Sequence, residues 1–113
     1  MRVQAKASYL SISPQKLRLV IDQVRGMGAR QAMTTLKFMP KKGATFVSKA
    51  LASAIANAEN NYDLNPDNLY VAEIFAGDGP RLKRMKAGSR GRYKPRVRRT
   101  SHLTVILDER EGA

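Results

Sequence analysis

Apolar and polar positions alternate with period two along residues 2–12, where Val3, Ala5, Ala7 and Tyr9 share one parity. This alternation predicts a half-buried strand. The next stretch, SPQKLRLVIDQVRGMG, changes to a helical period, with Leu17, Val20, Ile21 and Val24 at i, i+3, i+4 and i+7 forming one apolar stripe. Ser13 is placed to cap the free backbone N–H groups, and Pro14 sits at the first helical position, where its missing N–H costs nothing. Gly26 and Gly28 supply the stop. A shorter helix is expected from Arg30 to Phe38, with Ala32, Met33 and Leu36 inward and Pro40 closing it. The longest signal is KKGATFVSKALASAIANAENN, in which Phe46, Val47, Ala50, Leu51, Ala54, Ile55 and Ala58 occupy two adjacent helical rows. Its many alanines permit close approach of a neighbour, so it is expected to be the central core helix, about 25–30 Å long. The cluster NNYDLNPDN ends it. The period then returns to two: LYVAEIFA (69–76) and SHLTVILDE (101–109) are expected strands, with GDGP after the first as a turn or bulge.

Charge changes the picture between those strands. From Arg81 to Arg99, ten of nineteen residues are Lys or Arg and none is acidic, whereas the whole chain has a formal net charge of +12. The other 94 residues therefore carry only eleven cations against nine carboxylates. An unstructured loop of this length is unusual inside a compact domain. If the flanking strands pair antiparallel, the simplest continuation is one long β-hairpin over residues 80–100, with its tip at Gly88-Ser89-Arg90-Gly91. Arms of eight to ten residues would reach about 26–34 Å beyond the body. In an extended arm Arg92, Lys94, Arg96 and Arg98 share one side, and Tyr93, Pro95, Val97 and Arg99 the other. Leu82, Met85, Tyr93 and Val97 are too few for a core, and self-repulsion weakens a structure already marginal in water. Pro95 removes one ladder hydrogen bond and resists edge pairing. Such an arm needs surroundings that neutralise it, and a cleft through folded nucleic acid supplies them. Arg outnumbers Lys by seven to three in this segment, which favours bidentate phosphate contacts and base stacking over diffuse attraction to lipid. A membrane-surface helix is excluded by Gly88, Gly91 and Pro95.

Other chemistries find little support. The chain has no Cys and one His, His102, which excludes thiolate and multi-histidine metal sites. GSRGR lacks the Gly-Lys-Ser/Thr ending of a phosphate-binding P-loop. Ser101 and His102 are adjacent strand residues that face opposite ways, so they cannot form a nucleophile–base pair. No apolar run is long enough to span a bilayer, and the N-terminus has no signal-peptide pattern. No enzyme activity, cofactor or membrane partner is expected. The chain, 1–113, reads as one domain. The alternative from a different class is a basic nucleoid-type or regulatory DNA-binding protein, but that needs a groove-reading helix, and here the cations lie on an internal hairpin.

The segments ISPQKLRLVID, ANAENNYDLNPDNLYV and RRTSHLTVIL, with LKR and RGR between the last two, resemble the bacterial large-subunit ribosomal protein family number 22. The resemblance runs from about Ala5 to Leu107. It implies an α+β fold of three helices packed on a three-stranded antiparallel sheet with a long protruding basic hairpin. It also implies a cytoplasmic protein of the large ribosomal subunit that binds several domains of large-subunit rRNA and touches neighbouring ribosomal proteins. Its hairpin would line the nascent-polypeptide exit tunnel, with transient contact to the nascent chain, and the protein would be a monomer within the ribosome. Lys83, Arg84, Arg90, Gly91, Arg92 and Arg99 match the family's hairpin pattern. Together with the charge argument, the rRNA-binding set is expected to be Lys16, Arg18, Arg25, Arg81, Lys83, Arg84, Lys86, Arg90, Arg92, Lys94, Arg96, Arg98, Arg99 and His102. Gly88, Ser89, Arg90 and Gly91 are the expected tunnel-lining tip. There the chain reads Ala87-Gly88-Ser89, where many family members read Pro-Arg-Ala.

Overall fold

Strand β1, Val3–Leu10, opens the chain in a computed structural model that describes residues 2–79, 82–87 and 93–109. Helix α1, Pro14–Val24, buries Leu17, Val20, Ile21 and Val24, the predicted stripe. Ser13 occupies its N-cap, but the hydroxyl makes no capping bond, contrary to expectation. Gly26 stops the chain at φ +83°, a conformation that an L side chain adopts only with strain. Helix α2, Ala29–Lys37, begins and ends one residue earlier than the sequence suggested. Helix α3, Lys42–Tyr62, is the long core helix, and Asp63 ends it in the left-handed region. Val47, Ala50, Leu51, Ala54 and Ala58 are buried in it, while Phe46 and Ile55 are only partly so.

After a single 3-10 turn at Pro66–Asn68, β2 runs Leu69–Asp78, and the last body strand, β5, runs Ser101–Glu109. Between them lie β3, Leu82–Ala87, and β4, Tyr93–Arg98. The body sheet has the order β1-β5-β2 and is antiparallel throughout. Its inner face, with Val3, Ala5, Val71, Ile74, Leu103, Val105 and Leu107, meets the helices in one apolar core. The expected turn or bulge at GDGP is corrected in part: Gly77 and Asp78 continue β2, opposite His102 and Ser101. The bulge in β2 lies earlier, between Val71 and Glu73.

The outer edge of β2 would offer a row of unpaired backbone groups, a common route to aggregation. Here it is covered. Gly26 N–H donates to the Val71 carbonyl at 3.0 Å, and Val71 N–H donates to the Met27 carbonyl at 2.8 Å. Further along, the guanidinium groups of Arg25 and Arg18 each donate at 3.1 Å, to the carbonyls of Ile74 and Ala76. The two arginines, Arg18 on α1 and Arg25 at its C-cap, stand seven residues, about two helical turns, apart. That spacing lets them reach successive outward carbonyls of the strand.

A second correction concerns β1. Sequence alternation put Tyr9 on the inward parity with Val3, Ala5 and Ala7. The ladder runs Ala7 opposite Leu103 and then Leu10 opposite Ser101, so three steps on β1 match two on β5. The extra residue is a bulge, which shifts side-chain parity by one. Tyr9 is consequently 68% exposed, with φ +59°.

Candidate nucleic-acid interface

The basic arm begins where β2 and β5 leave the body. Gly79 N–H donates to the Thr100 carbonyl at 2.9 Å, and Arg99 pairs with Asp78 at 3.1 Å. Thr100 is buried against Gly79, leaving no room at position 79 for a Cβ. This junction holds the two chain segments together just before they pair as a separate two-stranded sheet. The molecule measures 66 × 26 × 17 Å, with a radius of gyration of 17.1 Å. A compact domain of this length would have a radius near 13 Å, so the arm stands away from the body.

The register of the arm sorts its charges. Leu82 lies opposite Arg98, Arg84 opposite Arg96 and Lys86 opposite Lys94; between them Lys83 lies opposite Val97, Met85 opposite Pro95 and Ala87 opposite Tyr93. Directly opposed residues share a face. Among the described residues, five cations, Arg84, Lys86, Lys94, Arg96 and Arg98, therefore occupy one set of alternating register positions, and Lys83 is the one cation at the other set. Two like-charged pairs, Arg84–Arg96 and Lys86–Lys94, stand across the ladder from each other. Each such pair disfavours the isolated hairpin by about 0.2–1 kcal/mol. Polyanion bound along that face reverses the sign of this term.

The body residues expected to bind RNA are arranged differently. Arg18 and Arg25 spend donors on β2 carbonyls, and Arg25 also pairs with Asp22 at 2.8 Å. Lys16 is exposed and lines a groove of about 220 Å³ with Ile12, Leu19, Lys41, Lys42 and Gly43. His102 is half-buried on the outer face of the sheet, and its Nδ1 accepts the Tyr9 backbone N–H at 3.2 Å. Ser101, its neighbour, is buried and donates to the Ile12 carbonyl, so the two side chains lie on opposite faces as expected. Arg81, Arg90, Arg92 and the tip residues Gly88, Ser89 and Gly91 lie outside the described residues. Sequence reasoning missed Lys41 and Lys42, although a KK pair at the start of the longest helix was a usable signal.

Elsewhere the body neutralises itself. Arg2 pairs with Glu73 at 2.9 Å and reaches Asp108 at 3.7 Å, and Arg30 pairs with Asp67 at 2.9 Å. The Asp108 carboxyl is held below the usual carboxylate range, chiefly by the Glu109 backbone N–H and in smaller part by Arg2. Unbalanced positive charge is thus densest in the arm, while on the body lysines such as Lys6 and Lys16 are exposed without a described carboxylate partner.

The profile of the family described as ribosomal protein L22p/L17e matches residues 5–108. The chain belongs to that family. Among its relatives is the large ribosomal subunit protein uL22 of Caldicellulosiruptor saccharolyticus, 52% identical over 97% of this chain and 90% of that protein. The protein of the same name from Desulfotalea psychrophila is 52% identical over 96% of this chain and 99% of its own length. That of Thermus thermophilus is 47% identical over 99% of both chains. Family membership agrees with the three helices, three-stranded antiparallel sheet and basic hairpin expected from the sequence.

Proposed function

We propose that this chain is a structural component of the large ribosomal subunit in the cytoplasm, where it binds large-subunit rRNA through the cationic face of its arm. The observation that carries the reading is the arm's register, which stacks five cations on one face and opposes four of them in like-charged pairs. Such a face gains stability only from dense negative charge, and folded rRNA presents phosphates at that density. The family and the names of its relatives support the ribosomal setting; nothing in either supports the DNA-binding alternative. Within this reading, Arg84, Lys86, Lys94, Arg96, Arg98 and Arg99 meet rRNA phosphates at the arm and its root, with Lys16 and His102 on the body, while Lys83, at the alternate register positions, lies off that phosphate track. Arg18 and Arg25 contribute to RNA binding only through donors not used on β2. The tip lines the exit tunnel, contacts the nascent chain transiently, and the protein acts as a monomer among neighbouring ribosomal proteins without catalysing a reaction.

The test is sedimentation. A tagged copy expressed in a bacterium whose own gene is depleted should move with large subunits and survive a moderate salt wash. An arm variant, Arg84→Gln with Arg96→Gln and Arg98→Gln, should be washed off at lower salt. A wild-type chain found only in the soluble pool, or on the nucleoid, would overturn the proposal.

A further inference from the structure

The outer face of the body sheet is not covered by a helix, and its residues are arranged in rows across the three strands. From the arm's root outward the register gives His102–Gly77, then Lys6–Thr104–Phe75, then Gln4–Ile106–Glu73 and finally Asp108–Tyr70. The bulge adds Tyr9 to the first row, where its ring meets the His102 ring edge-on, centroids 5.0 Å apart at 88°. Tyr9 and Phe75 are 68% and 51% exposed, although large aromatic side chains are usually driven out of water. Tyr9 also holds a left-handed backbone at φ +59°, which is uncommon for a bulky residue and is fixed by the bond from its N–H to His102. That bond uses Nδ1 as acceptor, so the neutral ring carries its proton on Nε2, a donor free of this interaction. Gly77 lies between β5 and solvent with nothing within 4 Å of where a Cβ would stand.

Charge selects the occupant. At the far end of the face Glu73 and Asp108 lie against Arg2, and at the root Asp78 lies against Arg99. Lys6, in the row beside Phe75, is exposed and makes no ion pair with a described carboxylate. The face is therefore aromatic and cationic at the end that is continuous with the basic arm. An acidic peptide would satisfy Lys6 but would leave the exposed rings unused. An unstacked nucleotide satisfies both, because every base has a π-face and every nucleotide a phosphate.

We infer that the Tyr9–His102–Gly77–Phe75 surface is a second RNA-binding site, which takes unpaired nucleotides by stacking bases on Tyr9 and Phe75 with Lys6 at a phosphate. The open space over Gly77 admits the base, and the Nε2–H of His102 faces its polar edge. The inference rests on the ribosomal, RNA-binding reading above, but it uses a different surface from the arm and fails separately from it.

The experiment titrates the full chain with an unstructured oligouridine and with a duplex RNA of equal length, across a salt series, and follows the Tyr9 and Phe75 ring signals by NMR. Single-stranded RNA should shift both rings, and duplex should shift them little. Tyr9→Ala should weaken oligouridine binding about 5- to 150-fold with an unchanged salt slope, while Tyr9→Phe keeps most of the affinity. Lys6→Gln should instead flatten the slope by about 0.7. Gly77→Val guards against misfolding: it adds a side chain in open space on a strand, so the fold should hold while binding falls. If Tyr9→Ala and Gly77→Val bind like wild type while the arm variant loses binding, this site does not exist and the ribosomal reading stands. If the arm variant and wild type both fail to bind any RNA, the reading beneath it fails too. If Tyr9 in intact subunits crosslinks to a neighbouring protein and not to rRNA, the occupant is wrong and the inference is overturned.

Discussion

Lys83 and Lys86 are chemically identical, three residues apart and, by the register of the arm, on opposite faces. That makes them a controlled pair. Neutralising either removes one charge from the arm, but only Lys86 belongs to the five-cation face. If each of those five meets one phosphate, they contribute about −3.5 to −4.5 to the log–log slope of affinity against salt. Lys86→Gln should then flatten the slope by about 0.7–0.9, so that between roughly 50 and 200 mM salt the wild type loses about threefold more affinity than the variant. Lys83→Gln should leave the slope near its wild-type value.

The free protein should respond with the opposite sign. Lys86 faces Lys94 across the ladder, so Lys86→Gln relieves about 0.2–1 kcal/mol of repulsion. Amide exchange in the arm should slow by about 1.4- to 5-fold, because the closed hairpin is favoured by that amount. The assay is filter binding or fluorescence anisotropy with a large-subunit rRNA fragment, paired with hydrogen exchange on the free chain. Equal flattening by Lys83→Gln and Lys86→Gln would refute the division into faces, because RNA would then surround the arm on all sides. A variant that both binds more weakly and exchanges faster would show that Lys86 does not oppose Lys94 and that the register is different.

Gly79→Ala should destabilise the folded chain by about 1–3 kcal/mol, since a Cβ there collides with Thr100; chemical denaturation measures this. Arg18→Gln or Arg25→Gln should each cost about 1 kcal/mol of stability even without RNA, because each removes a donor from a β2 carbonyl, and the β2 amides should exchange faster. Asp108, whose carboxyl is favoured in its charged form, should titrate by NMR with a midpoint below its ordinary value of 3.8. Its folded-state value is the lower one, so its contribution is present above the ordinary carboxylate range and is lost as pH falls through the folded value. Asp108→Asn should abolish that part of the acid dependence.

Much of the fold was legible because the core obeys local periods. The Leu17–Val24 stripe and the alanine-rich row of α3 are buried as their spacing demands. What escaped the sequence depended on residues far away in the chain. Gly77 and Asp78 carry turn propensity, yet they continue β2 because His102 and Ser101 offer them partners. Tyr9 has the parity of an inward residue, and only the mismatch between β1 and β5 reveals the bulge that turns it outward. The cations of β4 could be assigned to one side from alternation alone, but their alignment with Arg84 and Lys86 required the cross-strand register. That Arg18 and Arg25 also each give a donor to a β2 carbonyl could not be read from the sequence, because their acceptors, the carbonyls of Ala76 and Ile74, lie about fifty residues downstream.

These misses share a cause that bears on how the protein works. Charge in the body is used internally: Asp22, Asp67, Glu73 and Asp78 each lie against an arginine within 3.1 Å, and two further arginine donors close the edge of β2. Exposed pairs of this kind add little stability, but they remove the body's unbalanced charge and so its reason to seek an anion at those positions. The arm has no carboxylate with which to do the same. Its register sets like charges against each other, so its own strands cannot supply the missing term. A body whose carboxylates are largely paired can fold before RNA is present, and on the reading proposed above RNA phosphates offset the like charges that the arm sets against each other. The hydrogen bond from Gly79 to Thr100 and the Arg99–Asp78 pair stand at the boundary between the two regimes. They tie the two strands together at the root of the arm, so that the body sets where the arm departs from it.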